Sequence, residues 1–253
     1  MSNTVRVGFL HVEPPKELPE GDVKKFIENS PQDVIVMTFG SHDNMREMSR
    51  DKKLKFLKVF SEIKFSVIWK FEYEDEELEV PANVHLAKWL PLADALAHPK
   101  VKIFITHGGL NSAFEAIDRE VPMIVFPLSY DQPGNAKMMV KNGIALELDL
   151  NTFTEAQLSA AIHEISSNSS YKESVKQLKR LAYDQPMAPR ELAVWHIEHV
   201  LRLGKLSYAD YPGRNLALWQ SHFMLTFFLW ICGTFLLIRV ATKVIDKLFK
   251  NFY

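Results

Sequence analysis

The order of apolar segments is the feature that most restricts how this chain can fold. Six short apolar runs have the length and composition of buried strands: Val34–Phe39, Phe65–Trp69, Val84–Leu86, Ile103–Thr106, Met123–Phe126 and Ile144–Leu148. Six other segments carry apolar residues at helical spacing: Leu54–Ile63, Asn111–Asp118, Gln132–Lys141, Glu155–Ile165, Tyr171–Leu181 and Pro189–Leu203. Because strands and helices alternate, the sequence predicts an α/β fold with a Rossmann-like, doubly wound parallel sheet.

Length and polarity divide the 253 residues into five segments. We interpret 1–33 as a short polar lead or linker, and 34–205 as one α/β domain long enough to bury a sizeable core. A juxtamembrane segment at 206–221 then precedes an apolar segment at 222–241 and a basic tail at 242–253.

Charge and cysteine content exclude several kinds of partner. The net charge is −1 and the sequence pI about 6.8, so nothing indicates a nucleic-acid-binding surface. The single cysteine, Cys232, lies in the apolar tail, which excludes an internal disulfide and any cysteine-based metal site. No metal site is predicted.

The turn after the fourth strand has the sequence of an anion-binding helix start. His107, Gly108 and Gly109 follow Thr106 directly and lead into a helical segment. The unpaired N–H groups and positive dipole of a helix N-terminus suit a diphosphate, and glycines allow the ligand close to the backbone. Asn111 and Ser112 are expected to cap this helix and to donate to phosphate oxygens.

Three further elements surround this turn in the sequence. Trp89, before Pro91 in the loop after the third strand, suits stacking on a nucleobase. Glu115, one helical turn after Asn111, suits ribose hydroxyls, and Asp131 with Gln132 suits sugar hydroxyls. Each residue taken singly is more often structural or solvated, but all follow strands where open parallel sheets bind ligands. Their order predicts a nucleotide-sugar site.

These residues resemble the donor-binding signature of the UDP-glycosyltransferases, which move a sugar from a UDP-sugar onto small lipophilic acceptors. The residues that keep the family's spacing are Phe104–Gly109, Asn111, Ser112, Glu115, Pro122, Pro127, Asp131 and Gln132. The resemblance extends to Leu10–Lys16, Thr38–Ser41, Asp184–Met187 and the hydrophobic tail, and looks like the animal or insect branch. It implies the C-terminal, donor-binding half of a GT-B fold, followed by one C-terminal transmembrane helix.

The resemblance also implies a role for each matched residue. Trp89 would stack on uracil and Glu115 would bind ribose, while Asp131 and Gln132 would hold the donor sugar. The implied diphosphate contacts are His107, Gly108, Gly109, Asn111 and Ser112, with help from Ser41. One position departs from the pattern, because Leu92 stands where the family usually has glutamine. That change removes a polar contact near the uridine.

The implied activity is hexosyl transfer, glucuronosyl or glucosyl, with the UDP-sugar as substrate and no cofactor. In this family the catalytic base lies in the N-terminal domain, which also binds the acceptor, so no catalytic residue is predicted in this chain. The chain is therefore expected to be a partial product, inactive alone. The alternative is an inert membrane-anchored partner that binds UDP-sugar or forms a homo- or hetero-oligomer with related chains. A nicotinamide-dependent dehydrogenase is disfavoured, because no Gly-x-Gly-x-x-Gly follows a first strand.

The apolar tail predicts a single-pass membrane protein, which the resemblance places in the endoplasmic reticulum. Phe223–Ile238 contains no charge, and the run continues past Arg239, close to the length of about 20 residues that a spanning helix needs. Basic residues follow it, at Arg239, Lys243, Lys247 and Lys250, which favours a cytoplasmic tail and a luminal donor domain. Met1–Leu10 has no signal-peptide pattern, so the side on which the domain lies stays open. Asn168–Ser170 is a sequon that permits N-glycosylation in a lumen.

Overall fold

The computed structural model describes residues 5–40, 48–71, 78–204, 216–217, 220 and 223–250. Its six strands are β1 Val34–Thr38, β2 Ser66–Lys70, β3 Val84–Ala87, β4 Val101–Thr106, β5 Met123–Val125 and β6 Ala145–Glu147. They form one sheet in the order β3-β2-β1-β4-β5-β6, and every neighbouring pair is parallel. The predicted parallel α/β fold is confirmed, and each predicted strand has a counterpart.

Eight helices accompany the sheet within the described residues. They are α1 Asp22–Asn29, α2 Arg50–Glu62, α3 Leu92–Leu96, α4 Leu110–Asp118, α5 Gln132–Lys141, α6 Glu155–Ser167, α7 Ser170–Tyr183 and α8 Pro189–Leu203. All six predicted helical segments are present. α1 and α3 were not predicted, because they are short and their few apolar residues give no extended helical repeat.

The chain divides into two compact units: the first is Val7–Val194, and the second is Trp195–Tyr253 together with Met1–Arg6. The first unit includes most of the segment interpreted from sequence as a lead. Ile27 of α1 is fully buried in it, and Leu18 is 7% exposed. Residues 7–33 therefore belong to this unit, in which α1 packs beside β3.

Alternate side chains of each central strand enter two separate cores. Ile35 and Met37 of β1 join a core beneath α2 and α6, whereas Val34 and Val36 point into a core beneath α1, α3, α4, α5 and α7. Helices thus cover both faces of the sheet, as in a doubly wound fold. Because both faces are buried, the strands read as continuous apolar runs rather than alternating ones.

The strand order reverses between β1 and β4, and this is where doubly wound sheets bind ligands. Thr38 and Thr106, the last residues of these strands, lie opposite each other in register. Both hydroxyl oxygens accept a backbone N–H from two residues later, that of Gly40 at 3.1 Å and that of Gly108 at 3.3 Å. The two chain segments therefore turn alike as they leave the sheet.

The second unit contains a long apolar helix, α9 Met224–Lys250. Its Met224–Lys247 portion, 24 residues, reaches a mean hydropathy of 2.0 and has no buried share. By length and composition this helix is able to cross a membrane. It includes residues 224–241 of the predicted apolar segment and continues through the basic residues that follow.

Candidate donor site

The turn after β4 is built around a histidine ring held between two glycines. A Cβ on Gly40 would lie 2.9 Å from His107 Cε1, and one on Gly109 would lie 2.6 Å from His107 Nε2. Neither distance is sterically tolerable, so both glycines are required for the ring to occupy its place. His107 therefore lies at the switch point, between the segment that leaves β1 and the start of α4.

Gly108 has a different constraint from its neighbour. Its φ is +86°, in the left-handed region, and a Cβ there would lie 2.8 Å from Val125 Cγ1. Gly109 has an ordinary φ of −61°. Gly108 is thus required by the fold of the turn, and Gly109 by the position of the histidine ring.

The N-terminus of α4 faces this turn without a side-chain cap in the described part of the chain. Gly109 occupies the N-cap position, and its carbonyl accepts from the N–H of Ala113 at 3.0 Å. The capping predicted for Asn111 and Ser112 is wrong. The helix begins earlier, so that both residues lie inside its first turn, and the Ser112 hydroxyl donates back to the Gly109 carbonyl at 2.9 Å. The N–H groups of this turn are oriented toward the switch point, where they suit an anion.

Trp89 lies after β3 and is 74% exposed, as an aromatic platform requires. The ammonium of Lys70, the last residue of β2, lies 5.8 Å from the centre of the Trp89 ring and 3.4 Å from the Gly40 carbonyl oxygen. Lys70 itself is only 7% exposed. Trp89 also borders a cavity of about 550 Å³ whose wall includes Pro19–Val23 of the lead. Sequence reasoning missed Lys70, because a lysine at the end of an apolar run carries no motif.

Glu115 lies on α4, with its side chain 21% exposed. Burial raises the pKa of its carboxyl group, while His11 and Arg119 act in the opposite direction and Asp94 adds to the rise. His11 Nε2 lies 4.0 Å from Glu115 Oε1 and 3.1 Å from the carbonyl oxygen of Asn111. This contact joins residues about a hundred positions apart, so no local sequence pattern could predict it.

The loop after β5 is held by side chains. Gln132 Oε1 accepts the backbone N–H groups of Leu128 at 2.8 Å and Ser129 at 3.0 Å, and the residue is 4% exposed. Asp131 is exposed, and its Oδ2 accepts from Asn135 Nδ2 at 2.8 Å. The same Asn135 nitrogen donates to the Gly108 carbonyl at 3.0 Å. Asn135, which the sequence did not single out, therefore links this loop to the turn after β4.

The structure gathers nearly all predicted site residues at one edge of the sheet. In sheet order, the segments leaving five adjacent strands carry Trp89 after β3, Lys70 on β2, Gly40 after β1, His107 after β4 and Asp131 after β5. Adjacent strands are about 4.8 Å apart, so this row spans roughly 19 Å. Ser41 lies outside the described residues. Among the described residues no group of histidine, cysteine and carboxylate side chains has the arrangement of a metal site.

Comparison with known proteins shows the family to which this fold belongs. The family described as UDP-glucoronosyl and UDP-glucosyl transferase matches residues 1–252. UDP-glucosyltransferase 2 of Dactylopius coccus is 33% identical over 251 residues, which cover 99% of this chain and 48% of that protein. UDP-glucuronosyltransferase 2B7 of Homo sapiens is 34% identical over 245 residues, covering 96% and 44%.

A solved structure of the glycosyltransferase VinC in complex with DTDP has the same fold, with a TM-score of 0.60 at 20% identity. The match covers 75% of this chain and 45% of that one. The chain belongs to the UDP-glycosyltransferase family. It spans less than half the length of the curated relatives that it matches.

Proposed function

We propose that this chain is the donor-binding part of a UDP-glycosyltransferase, which transfers a glucuronosyl or glucosyl group from UDP-sugar to small lipophilic acceptors. The observation that carries the proposal is the order of groups along one sheet edge. An exposed indole follows β3, an uncapped helix start follows β4, and a carboxylate follows β5. A nucleobase, a diphosphate and a sugar are joined in that same order.

The helix start would stabilise the leaving diphosphate. When the acceptor displaces the nucleotide at the anomeric carbon, negative charge grows on the β-phosphate. N–H groups and a helix dipole that are already in place stabilise such charge without reorganisation. His107, fixed between Gly40 and Gly109, would donate from its ring to the same phosphates.

The sugar would be held mainly by Asp131. Its carboxylate is exposed and oriented by Asn135, whereas the Gln132 oxygen already accepts two backbone N–H groups. Gln132 would therefore act on the sugar through its amide nitrogen while its oxygen shapes the loop. These polar groups are compatible with several hexoses, so the proposal includes both UDP-glucuronic acid and UDP-glucose as donors.

Calorimetric titration with UDP tests the donor site. We expect Trp89→Ala to weaken binding by about 1–3 kcal/mol through lost stacking. Trp195→Ala, which removes another partly exposed indole, is the matched control and should bind UDP like the parent chain. A folded chain that gives no heat and no thermal shift at millimolar UDP would refute the proposal.

We propose that these residues bind donor without completing transfer. Direct displacement needs a base within about 2.6–3.2 Å of the acceptor hydroxyl and a wall that aligns the acceptor. Supporting this, the chain spans less than half the length of its relatives. Purified chain should give no transfer to a phenolic acceptor, and addition of the acceptor-binding half of a relative should restore some. Turnover by the chain alone that His107→Ala abolishes would contradict this assignment.

The alternative is an inert partner that binds UDP-sugar and forms oligomers with related chains. It predicts UDP binding that persists with no transfer under any pairing, together with association with full-length relatives in co-purification. Restored transfer on pairing would decide against it.

We propose that α9 anchors the protein in the endoplasmic reticulum membrane. The helix has spanning length and leaves its apolar side chains unburied. After alkaline wash the full chain should stay in the membrane fraction, whereas a chain ending at Ser221 should be released. If the donor domain is luminal, the sequon at Asn168 should add a glycan that a glycosidase removes, and Asn168→Gln should abolish the shift. The exposed Asn168 side chain is accessible for this modification.

A further inference from the structure

We propose that His11 is a positioning residue for nucleotide recognition: it orients Glu115 and thereby sets the preference of the site for ribose over 2′-deoxyribose. The inference rests on the proposed function, in which Glu115 binds the ribose hydroxyls. It goes beyond it by assigning a task to a segment, Leu10–Lys16, that the donor site itself does not use.

The imidazole of His11 is fixed in two ways. Its Nε2 lies 3.1 Å from the carbonyl oxygen of Asn111, in the first turn of α4. Its ring lies 6.3 Å, centre to centre, from that of Phe114, which stacks at 4.4 Å on Phe9 of the same lead segment. The ring is therefore attached both to the backbone and to the surface of the helix that carries Glu115.

The Asn111 contact also determines which ring nitrogen carries hydrogen. A carbonyl oxygen only accepts, so Nε2 must be the donor in this hydrogen bond. The same nitrogen lies 4.0 Å from Glu115 Oε1. This distance is too long for a hydrogen bond but short enough for attraction in a half-buried setting.

The carboxylate has few other groups to orient it. Burial raises the pKa of the Glu115 carboxyl group, His11 and Arg119 lower it, and Asp94 raises it further. Arg119 is occupied with Asp118, the Ala93 carbonyl and the Glu13 carbonyl. His11 Nε2, by contrast, lies within 4.0 Å of Glu115 Oε1. In the proposed arrangement His11 holds this oxygen, and the other carboxylate oxygen would meet the ribose. A Glu115 carboxylate with one oxygen attracted to His11 would bind the two neighbouring ribose hydroxyls in a single orientation.

The consequence is specific to the sugar of the nucleotide. If His11 acts through Glu115, its loss should weaken UDP, which has the 2′-hydroxyl, and leave 2′-deoxy-UDP nearly unchanged. A residue that only supports the fold would weaken both ligands alike. The ratio of the two dissociation constants separates these roles.

The experiment measures UDP and 2′-deoxy-UDP binding to the full chain by calorimetry, with His11→Phe and His11→Gln as a matched pair. Phenylalanine keeps the ring against Phe114 and removes the N–H donor, whereas glutamine keeps a donor and removes the ring. We expect His11→Phe to weaken UDP about three- to tenfold, the size of one modest polar contact, and to lower the preference for UDP. His11→Gln should retain most of that preference.

Glu115→Ala provides the reference for complete loss. It should abolish the preference, and adding His11→Phe to it should change neither ligand further, because the two residues act on one contact. A parent-like UDP preference in His11→Phe, when Glu115→Ala has lost it, would overturn the inference and leave the donor site intact. Equal loss of both ligands with a lowered unfolding temperature would assign His11 a structural role and overturn it too. Absence of UDP binding by the parent chain would instead refute the proposed function.

Discussion

The turn after β4 and the loop after β5 leave neighbouring strands at the same edge of the sheet and enter α4 and α5, yet they are built in opposite ways. The turn after β4 requires residues without a side chain, since a Cβ on Gly108 would lie 2.8 Å from Val125 Cγ1. The loop after β5 requires a polar side chain, since Gln132 Oε1 accepts hydrogen bonds from two backbone N–H groups. An added methyl group should thus damage the first region, and removal of a polar group should damage the second.

Gly108→Ala should have the largest effect on stability. The left-handed backbone costs an alanine about 1–2 kcal/mol, and the contact with Val125 adds overpacking of similar size, so unfolding free energy should fall by about 3 kcal/mol. Chemical denaturation measures it. Gly134→Ala is the matched control, because nothing lies within 4 Å of its added Cβ in α5. It should be neutral or slightly stabilising. If Gly108→Ala and Gly134→Ala changed the unfolding free energy equally, the steric explanation for Gly108 would be wrong.

Gln132→Met should follow, at about 2 kcal/mol. Methionine keeps the length and volume of the buried side chain but leaves the N–H groups of Leu128 and Ser129 without their acceptor. Denaturation midpoints against Lys137→Ala, an exposed change in the same helix, give the difference. A stability loss no greater than that of Lys137→Ala would mean that water replaces both bonds.

Gly109→Ala should alter binding more than stability. Its φ is ordinary, and the atoms that its Cβ would meet belong to the His107 ring, which can swing away. We expect the free energy of unfolding to change by less than about 1 kcal/mol. UDP affinity should fall about tenfold as the ring leaves the phosphate position, the loss expected for a charge-assisted contact. Unchanged affinity in a folded variant would show that His107 does not contact the nucleotide.

Asn135→Ala comes last, because its expected loss of about 1 kcal/mol is below the roughly 1.4 kcal/mol that a tenfold loss of affinity in Gly109→Ala represents. It breaks the one described side-chain link between the two regions, from Asn135 Nδ2 to the Gly108 carbonyl and to Asp131. These bonds are partly exposed, so about 1 kcal/mol of stability should be lost. Affinity for UDP-sugar should fall more than affinity for UDP, because Asp131 lies on the sugar side. Equal losses for both ligands would place the effect on the diphosphate instead.

The sequence predicted features that depend on neighbouring residues, but not contacts between residues far apart in the chain. The six strands and the glycine turn were predictable, because apolar runs and adjacent glycines are local signals. The N-cap was placed wrongly at Asn111 and Ser112, since the turn needs only Gly108 and Gly109 before the helix starts. The contacts of His11 with Asn111 and of Asn135 with Gly108 join distant segments, so no local pattern revealed them. Helix α1 was missed because its eight residues are too few to show an extended helical repeat.

The most direct test of the account is a structure of this chain with UDP bound. We predict uracil stacked on Trp89, ribose hydroxyls at Glu115, and diphosphate oxygens 2.7–3.2 Å from N–H groups of the first turn of α4. A nucleotide bound elsewhere, or one whose diphosphate lies away from the start of α4 while Trp89 stays free, would contradict the assignment of this sheet edge as the donor site.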